Sequence, residues 1–132
     1  MNYLLNTHAC IWAIAEPIKL STTVRDILQN PGNHFWVSKI SLFEVVIKLK
    51  IGKLPEFNLS FPEFVRSVYL SGYELLPVKE EHLEAYNTIN FAELHRDPFD
   101  RYLLASAYFE KLAIITKDEK FMHYTDTFQI VW

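Results

Sequence analysis

The sequence predicts an α/β fold with a mainly parallel central sheet. Short apolar runs typical of buried strands alternate along the chain with longer segments of helical periodicity. Strands separated by helices are joined by right-handed crossovers, so the strands run parallel and helices cover both faces of the sheet. A chain of 132 residues is long enough to bury one core without disulfides. We therefore expect a single domain over residues 1–132.

Two predicted strands and three predicted helices occupy the first half of the chain. An apolar run that stops at Asn6 is typical of a buried strand, and Pro17 closes the helical pattern that follows it. Ser21 is a typical N-cap, and Pro31 marks the end of the helix that it begins. The predicted elements are a strand over 3–5, a helix that ends before Pro17, a helix over 22–30, a strand over 35–37, and a helix that begins at Ser38 or Ser41 and ends near Ile51 at Gly52.

The second half continues the alternation of helices and strands. Pro62 suits the first turn of a helix, Pro77 ends a strand, and Asp97-Pro98 is a typical helix start. The predicted elements are a helix over 61–70, a strand over 73–76, a helix over 79–89, a helix from Asp97-Pro98 through Lys111, a strand over 113–115, a short helix over 118–124 and a strand over 128–132. Helical spacing predicts inward side chains on two of the helices, namely Leu42, Val45, Val46 and Leu49 on one and Leu83 and Tyr86 on the other.

Composition and charge exclude several classes of protein. Hydrophobic residues make up 50% and charged residues 22% of the chain, as in ordinary folded domains, and no apolar run suits a membrane span. Cys10 is the only cysteine, which excludes an internal disulfide and a cysteine-rich zinc site. The net charge of -3 argues against a protein that binds nucleic acid with its whole surface. The N-terminus lacks the features of a signal peptide, so we expect a cytoplasmic protein.

Polar residues follow two of the predicted strands at the point where each strand ends. Asn6 follows the first strand, and Asp118 follows the strand over 113–115. The carboxyl ends of parallel strands meet at one edge of a sheet, where ligands bind in folds of this class. Asp100, in the first turn of a helix, and Glu44, about one turn into another, can reach the same edge. Carboxylates brought together repel unless a divalent cation lies between them, and Mg²⁺ or Mn²⁺ suits oxygen ligands.

Each of these residues also has a purely structural interpretation. Asn6, Asp97 and Asp118 are each suited to capping the helix that follows. Glu44 can pair with a lysine one turn further along its helix. Asp100 can interact favourably with the positive N-terminus of its helix. Their joint occurrence at one edge of the sheet favours a functional site.

With these residues in place, the whole chain resembles PIN-domain ribonucleases, and among them the VapC-type toxins of bacterial toxin-antitoxin pairs. The most specific match is His95-Arg96-Asp97-Pro98-Phe99-Asp100-Arg101 with Leu103, Leu104 and Ala105. The other matching segments are Tyr3–Ala9 with Trp12, Ser38 with Ser41–Val45, Lys48 with Gly52–Leu54, Gly72–Pro77, Thr116–Asp118 and the terminal strand.

The resemblance implies a three-layer PIN-like domain with a sheet of about five mainly parallel strands between helices. It also implies an endonuclease of single-stranded RNA that uses Mg²⁺ or Mn²⁺, forms a homodimer and is covered by a small antitoxin. Carried over position by position, the catalytic and metal-binding set falls on Asn6, Glu44, Asp100 and Asp118, with Asp97 as a candidate fifth member. The hydroxyls of Thr7 and Thr116 would support the acids, and the candidate RNA contacts are Arg96, Arg101, Lys48 and Lys117.

One departure from the family pattern bears directly on activity. The family has Asp at its first acidic position, and this chain has Asn6. Asn keeps the shape and one oxygen ligand of Asp, but it removes a full negative charge and adds an NH₂ donor. We therefore expect weakened metal binding and weak or no nuclease activity. The alternative is a non-catalytic module that binds RNA or an antitoxin, and both a natural and an introduced substitution fit the sequence.

Overall fold

The computed structural model describes residues 1–54 and 57–132. In chain order the elements are β1 (Asn2–Leu5), α1 (Thr7–Ala15), α2 (Thr22–Gln29), β2 (His34–Ser38), α3 (Lys39–Lys50), α4 (Phe61–Leu70), β3 (Glu74–Leu76), α5 (Glu80–Thr88), α6 (Pro98–Glu110), β4 (Ala113–Ile115) and β5 (Ile130–Val131), with 3-10 helices over Pro17–Lys19 and Glu119–Tyr124. The five strands form one sheet in the order β3-β2-β1-β4-β5, and every neighbouring pair is parallel. The predicted three-layer α/β fold is confirmed.

The alternation of side chains along β1 separates two cores, one on each face of the sheet. Tyr3 and Leu5 belong to one core, and Leu4 between them belongs to the other. All three side chains are buried because β1 is the middle strand, with Leu5 level with Val37 of β2 and Ile115 of β4. A strand covered on both faces is apolar throughout, which explains the uninterrupted apolar run at the start of the sequence.

Helices complete each core from opposite sides. Val24 of α2 and Phe64 of α4 are buried in the core that contains Leu5. Leu104 of α6 and Phe121 of the second 3-10 helix are buried in the other core. No helix in residues 1–54 and 57–132 has the length and apolar character needed to cross a membrane.

Two helix caps lie where the sequence predicts them. Ser21 Oγ accepts the backbone N–H of Val24 at 3.0 Å, which begins α2. Ser38 rather than Ser41 caps α3, where its Oγ accepts the N–H of Ile40 at 3.1 Å. Because Ser38 is also the last residue of β2, the cap fixes the direction in which α3 leaves the sheet.

The inward faces of two helices differ from the prediction. Val46 is 38% exposed and Leu83 is 55% exposed, so both predictions of burial are wrong. On α3 the buried stripe is the narrower one through Ser41 and Val45. On α5 the side chain of His82 lies inward instead of Leu83, because its two ring nitrogens make hydrogen bonds to residues of α6 that an apolar side chain could not make.

The end of the chain also differs in detail. The predicted strand over 128–132 is paired only at Ile130–Val131, because Phe128 is buried in the core and its N–H donates to Tyr124 O at 2.8 Å. The predicted short helix before it has 3-10 geometry over Glu119–Tyr124. Neither difference changes the edge of the sheet at which Asp118 lies.

Candidate functional site

The residues that follow β1 and β4 touch at the carboxyl edge of the sheet. β1 lies between β2 and β4, so the order of the strands reverses at the middle of the sheet. The carboxyl ends of the strands at such a reversal are the usual position of a binding site in parallel sheets. The backbone N–H of Asn6 donates to Ile115 O at 3.1 Å. The side-chain amide of Asn6 donates to Thr116 Oγ1 at 2.7 Å.

Asn6 is almost completely buried, with 2% of its surface exposed. Its Oδ1 accepts the N–H of Ala9 at 3.0 Å, which caps α1. Its Nδ2 faces Thr116 Oγ1 and lies 3.1 Å from His8 Nδ1. The structural interpretation of Asn6 as a cap therefore holds, while the other end of the same amide faces the candidate site.

His8 connects position 6 to the loop after β4, and its hydrogen bonds do not suit an amide there. Burial lowers the pKa of His8 to about 4, against the charge of Asp118 and with those of Lys48 and Lys117, so the ring is neutral near pH 7 with one acceptor nitrogen. That one acceptor faces two donors, because Nε2 lies 3.2 Å from the backbone N of Lys117 and Nδ1 lies 3.1 Å from Asn6 Nδ2. A carboxylate at position 6 would remove the mismatch, since it could accept a hydrogen bond from Nδ1–H.

Glu44 reaches this edge from α3 through a hydroxyl of α1. Thr7 Oγ1 donates to Glu44 Oε1 at 2.7 Å and lies 3.0 Å from Ser41 Oγ. Lys48 Nζ lies 3.9 Å from the other carboxylate oxygen of Glu44, a loose ion pair of the kind expected one turn apart on a helix. Thr7 thus fixes one oxygen of Glu44 beside the start of α1, and Lys48 leaves the second oxygen weakly held.

Asp100 is a partly buried carboxylate in the first turn of α6. Burial raises the pKa of Asp100 to about 6, the charges of Asp97 and Asp118 act in the same direction, and a hydrogen bond from His95 opposes them. Among these charges Asp118, in the loop after β4, has the smaller effect on Asp100. A carboxylate kept partly protonated by burial and by like charges is typical of functional sites.

Asp97 and Asp118 each use one oxygen to cap a helix. Asp97 Oδ1 accepts the N–H of Phe99 at 2.8 Å, and Asp97 is exposed. Asp118 Oδ1 accepts the N–H of Lys120 at 3.0 Å, while its own N–H donates to Thr116 Oγ1 at 3.1 Å. Capping accounts for the conformation of Asp97, whereas Asp118 is also tied through Thr116 to position 6.

The oxygen ligands at this edge of the sheet suit a divalent cation, but Asn6 leaves the site with one negative charge fewer than an acid at position 6 would give. No three His, Cys, Asp or Glu side chains within the described part of the chain cluster tightly enough to hold a metal ion by themselves. Mg²⁺ commonly uses only one or two carboxylates and completes its shell with water and substrate phosphate. Asp100 and Asp118 suit that pattern, and an acid at position 6 would supply a third carboxylate next to them.

Two of the four candidate RNA-binding cations lie beside the acids. Lys48 and Lys117 are both close enough to His8 to lower its pKa. Lys117 Nζ also lies 5.7 Å from the centre of the Trp12 ring, and Lys19 Nζ lies at the same distance from that ring. A cationic and aromatic surface therefore borders position 6.

The other two candidate cations make contacts within their own loop. Arg101 Nε donates to His95 O, and its guanidinium lies 5.0 Å from the centre of the Phe91 ring. Arg96 is exposed, and its Nε donates to Glu93 O at 3.0 Å. Arg101 thus has a structural role in holding the segment before α6, and Arg96 is the more accessible of the two.

A cavity of about 680 Å³ lies at the opposite edge of the sheet. It is lined by Met1 and Asn2 at the start of β1 and by Lys111 and Leu112 before β4, among other residues, and none of the described residues that line it is a carboxylate. Its volume is ordinary for a ligand pocket, but ligands of parallel sheets bind at the carboxyl ends of the strands. The acid-bearing edge is therefore the stronger candidate site.

Three histidines have roles that the sequence did not reveal. His8 lies against Asn6, His95 against Asp100, and His82 joins α5 to α6. His82 and His95 are both 0% exposed. Histidine has no strong preference for burial, so only the apolar residues around each of them could have indicated these positions, and that signal is weak.

Comparisons with known proteins agree with this architecture. A family model described as the PIN domain matches residues 3–126. This chain is similar in structure to VapBC2 from Rickettsia felis, whose crystal structure is bound to a DNA fragment from their promoter. The match covers 100% of this chain and 99% of the other, with 18% identity and a TM-score of 0.67. A toxin-antitoxin complex from Klebsiella pneumoniae matches 98% of this chain and 96% of its own, with 17% identity and a TM-score of 0.58.

A third structure, VapBC-5 from Mycobacterium tuberculosis, matches 98% of this chain and 95% of its own, with 13% identity and a TM-score of 0.59. At these identities the three likenesses establish a shared fold. No curated protein sequence matches the chain.

Proposed function

The chain belongs to the PIN-domain family, whose model spans residues 3–126, and on that premise we propose that it is a metal-dependent endonuclease of single-stranded RNA. We further propose that it is the toxin of a toxin-antitoxin pair and that Asn6 leaves it weak or inactive. The observation that supports the proposal is the link from Asn6 through the Thr116 hydroxyl to Asp118 at the carboxyl edge of the sheet, with the charge of Asp118 also acting on Asp100, in a fold shared with toxin-antitoxin structures.

The proposed cofactor is Mg²⁺ or Mn²⁺, which when bound would activate water for attack on a phosphodiester and offset the charge of the leaving oxygen. Asp100 and Asp118 would hold it, with Glu44 as a further candidate ligand. Thr116 fixes the geometry between the strands, because its hydroxyl accepts from Asn6 Nδ2 and from the backbone N–H of Asp118. Thr7 orients Glu44 by donating its hydroxyl to Oε1.

The proposed partners are an antitoxin and a second copy of the chain. The solved structures of similar fold are toxin-antitoxin assemblies, which supports an antitoxin for this chain. An exposed apolar surface next to the acids supports association, since Phe43 and Leu83 are exposed and Phe43 stacks edge-on against Phe99 with ring centres 6.0 Å apart.

A cleavage assay on the full chain and on Asn6→Asp tests the proposed activity. We expect Asn6→Asp, purified free of host nuclease, to cleave single-stranded RNA with Mg²⁺ or Mn²⁺ and to stop when EDTA removes the metal. Structured DNA assayed in parallel separates an RNA-specific enzyme from a nuclease of another substrate class. An inert Asn6→Asp protein on a broad RNA panel with either metal would favour the alternative, a non-catalytic module that binds RNA or antitoxin.

Removing the two lysines beside His8 should weaken RNA binding and make the binding constant less dependent on salt concentration. Lys48→Ala with Lys117→Ala removes two cations that can contact phosphates, so the slope of log K against log salt should fall by about 1.4 for a single strand. Fluorescence anisotropy with a labelled RNA at several salt concentrations measures the slope. Arg25→Ala with Arg66→Ala removes the same charge from exposed positions on α2 and α4 and serves as the control. Equal slopes for the two double variants would contradict a role for Lys48 and Lys117 in RNA binding.

A further inference from the structure

His95 lies between a tyrosine and the carboxylate of Asp100. Its side chain is 0% exposed, its Nε2 lies 3.1 Å from Asp100 Oδ2, and its Nδ1 lies 3.1 Å from Tyr124 Oη. The ring packs against Phe121, with ring centres 5.0 Å apart. His95 is therefore fully enclosed, and each of its ring nitrogens has one side-chain hydrogen-bond partner.

One arrangement of the hydrogens gives every group in this chain of contacts a partner. The backbone N–H of Ala92 donates to Tyr124 Oη at 3.0 Å, which uses the hydroxyl as an acceptor. The hydroxyl hydrogen of Tyr124 is then free to be donated to His95 Nδ1. An imidazole that accepts at Nδ1 carries its hydrogen at Nε2, and that hydrogen points at Asp100 Oδ2.

The arrangement fixes how Asp100 faces the site. The backbone of His95 is held as well, because its N–H donates to Ala92 O at 3.0 Å and its carbonyl accepts from Arg101 Nε. With Oδ2 directed at a rigid donor, the other oxygen of Asp100 is left for a ligand, and no hydrogen bond from the described residues reaches it.

We propose that Tyr124 and His95 are positioning residues that hold Asp100 in the orientation needed to bind the divalent cation. This inference rests on the proposed function, because it assigns Asp100 to the metal. The hydrogen bond from Tyr124 sets the tautomer of His95, and His95 sets the direction of Asp100. Partners of this kind that orient metal-binding carboxylates typically change metal affinity by about 10–100-fold when they are lost.

The chain contains a matched control for this proposal. His82 is also 0% exposed, its Nδ1 lies 3.1 Å from Tyr102 Oη, and its Nε2 lies 3.0 Å from Glu110 Oε1. The order of tyrosine, histidine and carboxylate is the same, but Glu110 lies at the far end of α6 and pairs with Lys79 at 2.7 Å. The backbone N–H of Lys79 also lies 3.4 Å from His82 Nδ1. Tyr102→Phe therefore removes the same hydroxyl from a corresponding buried contact that does not end at a candidate metal ligand.

The test compares Tyr124→Phe with Tyr102→Phe in the full-length Asn6→Asp chain, using Mn²⁺ alone as the ligand. We expect Tyr124→Phe to raise the Kd for Mn²⁺, measured by calorimetry or by electron paramagnetic resonance, by about tenfold, and Tyr102→Phe to change it less than about twofold. Cleavage by Tyr124→Phe should show a lower kcat at an unchanged KM for RNA, since no RNA contact is removed. His95→Gln should recover part of the Mn²⁺ affinity that His95→Leu loses, because its amide can still donate to Asp100.

Nitrogen-15 spectra of the histidine rings give a second readout in the unmodified chain, where His95 should carry its proton on Nε2. A proton on Nδ1 would overturn the proposal, as would an Mn²⁺ affinity that Tyr124→Phe leaves unchanged or that both tyrosine variants lower equally. In those cases the proposed function stands if the Asn6→Asp reference binds Mn²⁺ and cuts RNA. A reference that neither binds Mn²⁺ nor cuts RNA would overturn the proposed function and the positioning role together.

Discussion

Asn6→Asp should tighten Mn²⁺ binding by at least about tenfold and restore RNA cleavage. The substitution adds one negative charge beside Asp118 and Asp100, at the edge of the sheet where the candidate cation would lie. A unit charge about 4 Å from another is worth about 4 kcal/mol at the effective dielectric near a protein surface, and about 1.4 kcal/mol already corresponds to a factor of ten. Even after losses to screening and desolvation, the charge term favours the acid.

Hydrogen bonding around position 6 adds to this effect. The backbone N–H of Ala9 and the hydroxyl of Thr116 can both donate to a carboxylate, and His8 can donate from Nδ1 while its Nε2 accepts from Lys117 N–H. With Asn6, the side-chain NH₂ and the backbone N–H of Lys117 compete for the single acceptor nitrogen of His8. Exchanging the amide oxygen and nitrogen of Asn6 would instead place the NH₂ against the N–H of Ala9. Three neighbours that can all donate suit a carboxylate better than an amide.

Thermal unfolding with and without Mn²⁺ measures the change in affinity directly. Binding to the folded state alone raises the free energy of unfolding by RT ln(1 + [L]/Kd), so the increase in Tm caused by Mn²⁺ should be larger for Asn6→Asp than for the original chain. EDTA should reverse it. Asn90→Asp adds the same charge at an exposed residue after α5 and should leave the Mn²⁺ effect unchanged. Equal shifts for Asn6→Asp and the original chain would contradict a metal site at position 6.

The order of strands and helices could be predicted because each element carries its own local signal. The strand over 113–115 is found at its predicted bounds, and the caps at Ser21 and Ser38 follow from residue types that suit few other positions. The inward turn of His82 instead of Leu83 could not be predicted, since it depends on Tyr102 and Glu110 of a helix that is distant in sequence. Periodicity predicts that a helix has an inward face, but the partner helix selects which side chains form it.

The candidate site could also be predicted from the sequence only in part. The meeting of Asn6 with the loop after β4 follows from parallel strands that end at one edge, so it was accessible from the sequence. The attachment of Glu44 to Thr7 and the enclosure of His95 beside Asp100 depend on side-chain directions and on burial. Those features arise from packing between elements, and one sequence carries no local signal for them.

Asp100→Asn should stabilise the metal-free protein near about pH 8 and abolish cleavage in the Asn6→Asp background. Burial raises the pKa of Asp100 to about 6, above its ordinary 3.8. Between these two values the folded state binds more protons than the unfolded state, so the contribution of Asp100 to stability falls as the pH rises through this range. Above about pH 6 the ionised carboxylate lies in a site that disfavours its charge, and Asn removes the charge while its oxygen can still accept from His95 Nε2–H.

The expected gain is about 1 kcal/mol once partial solvent screening is allowed for, or roughly 3–5 °C in Tm for a chain of this size. Calorimetry in the presence of EDTA should show this gain near about pH 8 and little difference near about pH 4.5, where Asp100 is mostly protonated.

Cleavage in the Asn6→Asp background should fall by at least about a hundredfold, since a proposed metal ligand is lost. Asp26→Asn removes the same charge from an exposed position on α2 and should change neither property by much. A fall in Tm near about pH 8 would mean that the Asp100 carboxylate stabilises the fold, and the residue would then be structural rather than held under strain for a cation.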